Sequence, residues 1–196
     1  MNDASGRRVR AVFDAFTITV YQAYGAEIAD AAIAAGRFVP PFSLGRMTWI
    51  KPSFLWMMYR CGWATKPGQE RVLAIQMLRS GFEEALSSAV LSHFDASLYS
   101  SEDDWRRRLN ESAVRVQWDP ERTVTGAPLP YRSLQVGLSG WAARRYVSDW
   151  VVGIADVTEY VHQIHETAGA DPDVLPKESE YPLTQDVAVA IGADHT

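Results

Sequence analysis

Cysteine is almost absent from this chain. Cys61 is alone among 196 residues, which excludes an internal disulfide framework and suits a reducing compartment. Its place at a predicted helix end reads as a buried thiol. No apolar run approaches the length of a membrane span. The first six residues, Met-Asn-Asp-Ala-Ser-Gly, hold no apolar signal core. A cytoplasmic protein without a membrane partner is the expectation. Lysine is nearly as scarce: Lys51, Lys66 and Lys177 are the only three, so arginine carries most of the positive charge. His162 and His165 have the spacing of a helical ligand pair, with Glu159 or Glu166 nearby, but no further anchored ligand accompanies them. No metal is expected. The phosphate-binding GxxxxGK[ST] loop, the dinucleotide-binding GxGxxG and the CxxC motif are all missing. No signature therefore names the reaction.

The length suits one domain with a sizeable core. The net charge is −5, and residues 170–196 account for all of it, with six acids against Lys177. This composition divides the chain into a short N-terminal tail (1–7), a single domain (8–168) and an acidic, Pro-containing C-terminal tail (169–196). The tail is expected to lie loosely over the body and to add little stability. Tyr181-Pro-Leu183 is its one apolar anchor. The acidic balance argues against nonspecific duplex binding and leaves a short single strand or a nucleotide open.

One stretch stands out: Arg46-Met-Thr-Trp-Ile-Lys-Pro-Ser-Phe-Leu-Trp-Met-Met-Tyr-Arg60, followed by Cys-Gly-Trp63. Pro52 disfavours helix at Lys51 and suits a first helical turn, so 47–50 reads as a strand and 53–61 as a helix that Gly62 stops. Trp56, Tyr59 and Trp63 then share one face, and the plain reading is an aromatic core. The charges are less easily placed in a core. From Arg37 to Arg79 there are seven Lys or Arg and only Glu70 against them, which suits either a solvated basic face or an anionic ligand.

Elsewhere, 9–13 and 17–21 read as strands, and 26–35 as a helix ending at Gly36. The apolar run 72–78 reads as a buried strand broken by Gly81, and 82–94 as a helix. Residues 102–109 read as a charged helix whose Arg106-Arg-Arg108 is most simply a solvated face. Residues 114–118 and 132–138 alternate strictly and form an expected antiparallel pair, the first ended by Asp119-Pro120. Residues 140–148 and 150–165 read as helices. The sum is an α+β domain with a mostly antiparallel sheet flanked by helices. Asp119, Glu121 and Arg122 at a strand end have the placement of cleft-rim groups capable of acid–base work, or of a turn held by a local ion pair.

The central stretch, together with Val20-Tyr-Gln-Ala-Tyr24, Val116-Gln-Trp-Asp-Pro-Glu-Arg122 and Arg132-Ser-Leu-Gln-Val-Gly-Leu138, resembles the domain-of-unknown-function family 4291 over roughly residues 8–165. That resemblance implies no activity. A second resemblance, at the level of element order, is to ADP-ribosyltransferases. It implies an NAD-binding enzyme that modifies a nucleic acid or nucleotide. The first strand and the Ser-bearing segment would hold nicotinamide and ribose through Tyr21, Gln22, Ser53 and Tyr59. A late Glu, Glu121 or Glu111, would be catalytic. The chain departs from that superfamily in lacking its Ser-Thr-Ser and Glu-x-Glu motifs and a first-strand Arg or His. In this reading Arg46 and Lys51 hold the pyrophosphate, Trp49 or Tyr59 stacks on nicotinamide, and Arg122 joins the same anion-binding cleft. The alternative is a non-catalytic module for single-stranded RNA or nucleotides, built on the same aromatics and cations.

Overall fold

The β-rich segment after Asp14 forms a strand because Asp14 Oδ1 accepts from the backbone N–H of Phe16 and Thr17, each at 2.7 Å, and turns the chain into it. In the computed structural model, which describes residues 6–167 and 171–194, this strand is β2 (Thr17–Tyr24); a two-residue β1 (Arg10–Ala11) precedes it. Helix α1 (Ala26–Ala35) follows and ends at Gly36, whose φ of 63° is a left-handed C-cap. Strand β3 (Thr48–Ile50) leads through Pro52 into α2 (Phe54–Cys61), with Ser53 as N-cap accepting from Trp56 N and Gly62 as left-handed stop. Strand β1 is shorter than the 9–13 expected, and β2 runs three residues past 21. The boundaries of α1, β3 and α2 agree with the sequence reading to within a residue. So do those of β4 (Arg71–Leu78), whose nearly continuous apolarity, interrupted by the exposed Gln76, has a simple cause. Leu73, Ile75 and Met77 enter the main core, while Val72 enters a second core around α2, so both faces are covered.

Three expectations fail in the next part of the chain. Gly81 does not break the structure; it lies inside α3 (Arg79–Ser87), where a Cβ would sit 2.3 Å from the Trp150 ring. The helix expected to run to Phe94 stops at Ser88, and Ala89–Leu91 forms a short strand, β5. After α4 (Glu102–Glu111), β6 (Val114–Arg122) is not ended by Pro120, but continues through a register shift between Pro120 and Arg122. Its partner β7 (Pro128–Leu138) is antiparallel, as expected.

The helix expected over 150–165 is two elements. Helix α5 (Gly140–Arg145) passes into a π-helical turn (Tyr146–Trp150), then a strand, β8 (Val151–Asp156), and only then α6 (Thr158–Thr167). Strand β8 completes a three-stranded antiparallel sheet of order β2-β4-β8. The second sheet has the order β3-β7-β6-β5, with β5 alone running parallel to its neighbour. The molecule is thus α+β with mainly antiparallel sheets. Arg71 ties its layers together, pairing with Asp30 on α1 at 2.7 Å and with Asp156 on β8.

The C-terminal segment overturns the expectation of a loose tail. Strand β9 (Ser179–Glu180) pairs with β1, and α7 (Gln185–Ile191), capped by Thr184, buries Val187, Ala188 and Ile191. Tyr181 is fully packed; its hydroxyl donates to Glu83 at 2.6 Å and accepts from Arg79 at 3.0 Å. Trp118 Nε1 donates to Ile191 O at 2.7 Å. The acids of this segment lie mostly on the outside, and composition alone hides the apolar stripe beneath them. The 168/169 boundary and most of the 1–7 tail lie outside the described residues.

Two outcomes follow for the stability of the fold. Truncation at Gly169 is expected to unfold the protein or lower its melting temperature sharply. Ile191→Ala is expected to cost about 2–5 kcal/mol, the usual range for deleting a buried Ile side chain. A truncated chain that melts like the full one would show α7 to be dispensable.

Candidate functional site

The two sheets meet at their edge strands through a single residue pair. Tyr21 N donates to Lys51 O at 2.8 Å, and Lys51 N donates to Tyr21 O at 3.2 Å. Successive side chains of a strand point to opposite faces. Gln22 therefore faces one side of the seam and Tyr21 the other, and the predicted site residues are divided accordingly.

On the Gln22 side two adjoining cavities, of about 570 and 310 Å³, share Trp49, Lys51 and Arg60 as a common wall. Gln22, Tyr24, Arg46 and Thr48 line the first. Trp56, Gln117, Asp119 and Gln135 line the second. Lys51 and Arg60 thus share the second cavity with one carboxylate, that of Asp119, while Arg46 lines the first. Arg46 and Arg60 are exposed at the rim, whereas Lys51 is buried. Burial, helped by the Arg60 charge, lowers the Lys51 ammonium to about 8; Cys61 and Asp119 act in the opposite sense.

The polar groups of the floor are held tightly. Gln22 Nε2 donates to Thr48 Oγ1 at 2.6 Å and to Trp49 O at 3.2 Å, and its Oε1 accepts from Tyr146 at 2.8 Å. Asp119 accepts from Gln117 at 2.8 Å on one oxygen and from Gln135 at 2.7 Å on the other. Trp49 crosses the sheet over Gly137, where a Cβ would meet its ring at 3.0 Å and Met47 Sδ at 2.7 Å, so only glycine admits it. Trp56 Nε1 is buried without a hydrogen-bond partner among the described residues, in a side chain that lines the second cavity. A buried orphan donor is costly.

Tyr21, Ser53 and Glu121 lie on the other side of the seam and do not line the cleft. The expectation of an accessible Glu121 is overturned. It is 4% exposed, with Oε2 accepting from Ser53 Oγ at 2.5 Å and Oε1 accepting from Arg122 N at 2.8 Å. Burial raises its carboxyl above the usual range. Glu178, from the C-terminal segment, accepts from Phe54 N at 2.6 Å in the first turn of α2. Burial, reinforced by Glu121, pushes it up to about 8, against the pull of the Phe54 N–H. These two carboxyls stabilise the N-terminal end of α2, where unpaired N–H groups favour acidic partners.

Arg46 and Lys51 do converge on one cleft, but Arg122 does not join them. Its guanidinium lies 4.1 Å from the centre of the Tyr59 ring, which stacks in turn on Trp56. Tyr59 is 39% exposed and is not a core residue, unlike Trp56 and Trp63. Glu111 is exposed at the end of α4, away from the cleft lining. Arg106, Arg107 and Arg108 pair with acids of their own helix. His165 stacks on Trp63, and among the described residues no group of three or more His, Cys, Asp or Glu is placed to hold a metal. No described helix is long and apolar enough to cross a membrane. The sequence reading passed over Arg60, Gln117 and Gln135 as site residues. The alternation of 114–118 and 132–138 put both glutamines on polar sheet faces, and that was the available signal.

A family model described as "Domain of unknown function (DUF4291)" matches residues 8–181. The match runs beyond residue 165 and takes in both Glu178 and Tyr181. No curated protein matches the chain.

The Glu178 carboxyl gives a pH signature. Its folded value lies above the usual carboxylate value, so its contribution to stability is full below about pH 4.5 and is lost as pH rises through about 8. Relative to the parent protein, Glu178→Gln is expected to gain stability steadily over that window and to level off above it. The gain should reach at least about 1 kcal/mol, because even a tenfold difference in proton affinity between the folded and unfolded chains is worth about 1.4 kcal/mol. Urea midpoints for both proteins at pH 5 and pH 8 check this; a difference that does not change with pH would show that Glu178 is ionised in the folded state.

Proposed function

The chain belongs to the DUF4291 family, and from the geometry of its cleft we propose that it is an ADP-ribosyltransferase-like enzyme that takes NAD and modifies a nucleic acid or nucleotide. The observation that carries this reading is the meeting of Lys51 and Arg60 with a single, doubly held carboxylate, Asp119, at the Trp49 wall, with Arg46 lining the adjoining cavity. Arginine and lysine at the rim and floor suit a pyrophosphate. Trp49, packed against Gly137, offers a ring for a nicotinamide or adenine to stack on.

In the reaction, the bond between ribose C1′ and the nicotinamide nitrogen breaks, and its electron pair leaves with nicotinamide. An acceptor hydroxyl or amine bonds to C1′ and gives up its proton. Asp119 is the carboxylate that lines the cleft, so the roles of charge stabiliser and proton acceptor fall to it and not to the enclosed Glu121. Gln117 and Gln135 position it by occupying both oxygens.

A non-catalytic binder of single-stranded RNA or nucleotides is the second reading, favoured by the same cations and aromatics. Asp119→Asn separates the two. As an enzyme, the variant should keep NAD affinity within a few fold while nicotinamide release falls by about 100-fold or more, the scale of general acid–base loss. Lys51→Met should weaken NAD binding itself. Calorimetry that detects no NAD binding, with no nicotinamide released in the presence of RNA or DNA, would reject the transferase and leave the binding module.

A further inference from the structure

Gln117 is shared by two sites. Besides lining the cleft beside Asp119, it lines a third cavity, of about 230 Å³, with Arg7, Arg132, His93 and Phe94. The cavity forms where β5 stops at Leu91 while β6 runs on to Arg122. Ser92 Oγ, in its wall, donates to Gln117 Oε1 at 3.3 Å, and Gln117 Nε2 donates to Asp119 at 2.8 Å. A chain of hydrogen bonds therefore runs from this cavity to the carboxylate of the cleft.

Its charges are arranged for an anion. Arg7 is held in place, donating to Asp95 at 3.1 Å and to Gly192 O at 3.4 Å. Asp95 is fully committed, since its other oxygen accepts from Ser97 N at 3.0 Å and Ser97 Oγ at 2.6 Å. The Arg132 side chain makes no hydrogen bond or ion pair among the described residues, although its backbone is fixed by donation to Gly6 O at 2.9 Å. Beside these groups Phe94 is 38% exposed, next to His93. Guanidinium groups beside an accessible aromatic face suit a strand whose phosphates and unpaired bases are both presented. A duplex has no free base face to offer, and an acidic peptide would leave Phe94 unused.

We infer that this third cavity is the acceptor subsite, binding a single-stranded nucleic acid with a phosphate on Arg132 and Arg7 and a base on Phe94, so that the neighbouring nucleotide passes over Gln117 toward Asp119. The inference rests on the transferase reading for its word acceptor, but the strand site itself is measurable without NAD.

The test uses the full chain, a fluorescein-labelled mixed-sequence eight-nucleotide RNA followed by anisotropy, and NAD followed separately by calorimetry. Arg132→Gln and Phe94→Ala should each weaken RNA binding about ten-fold, with far-ultraviolet circular dichroism and NAD affinity unchanged. Arg132→Gln should also reduce the dependence of log affinity on log salt by about one phosphate's worth, which loss of packing would not do. RNA-binding by the parent protein that neither substitution weakens would overturn the inference, as would failure of the parent to bind the RNA. Equal competition by an acidic peptide would overturn it in favour of a protein acceptor. Arg132-dependent RNA binding without any NAD binding would support the strand site and reject the transferase reading alone.

Discussion

The backbone pair between Tyr21 and Lys51 is the constraint on which the cleft depends. Two edge strands, β2 and β3, touch through two hydrogen bonds and otherwise diverge. Full pairing would make one continuous sheet and close the space between them. Separation without the pair would leave both edges with unsatisfied backbone groups. With one contact, the gap must be bridged by side chains, and Gln22 spans it to Thr48 and Trp49 O. Lys51 is pinned at the seam by its own backbone, so its long side chain extends into the gap. Lys51 makes no ion pair among the described residues, and its side chain lines both cavities.

The shift of register in β6 divides two carboxylates that sequence places only two residues apart. Asp119 pairs opposite Ser133 in a regular part of the ladder and shares a face with Gln117. In an unbroken strand Glu121 would lie on that same face. The irregularity between Pro120 and Arg122 sends it instead beneath α2, to Ser53. One carboxylate is thus left in the cleft and the other is consumed in structure. Their unlike surroundings, and not their residue type, set their roles.

Much of the local structure was legible in the sequence because single residues dictate it. Gly36, Gly62, Pro52 and Ser53 each act through their own backbone or cap. What was hidden depends on partners distant in sequence. Gly81 reads as a breaker until the Trp150 ring is found against it. Residues 151–156 carry the β-branched Val151, Val152 and Ile154, but Gly153 interrupts them and a helical stretch precedes them, which masks their pairing with β4. Glu121 and Asp119 are both carboxylates near one strand end, and the bulge between them gives them different surroundings. In the C-terminal segment, acidic composition outweighed a readable signal: Thr184 as cap, Val187, Ala188 and Ile191 as a stripe, and Gly192 as stop.

That segment also bears on the cleft. Glu178 holds the first turn of α2 through Phe54 N, and Glu121 holds its cap through Ser53. Helix α2 carries Trp56 and Arg60 into the cavities on the opposite side. A short helix is marginal by itself, and its position comes from tertiary contacts. The carboxyls behind the seam therefore fix the aromatic and the cation in front of it. The span of the family match is consistent with this dependence, since it ends only after Glu178 and Tyr181 have been included. The acidic residues near the C-terminus are then of two kinds: Glu178 is a structural part of the wall that shapes the cleft, while exposed acids such as Asp171, Asp173 and Asp186 supply net charge to the surface.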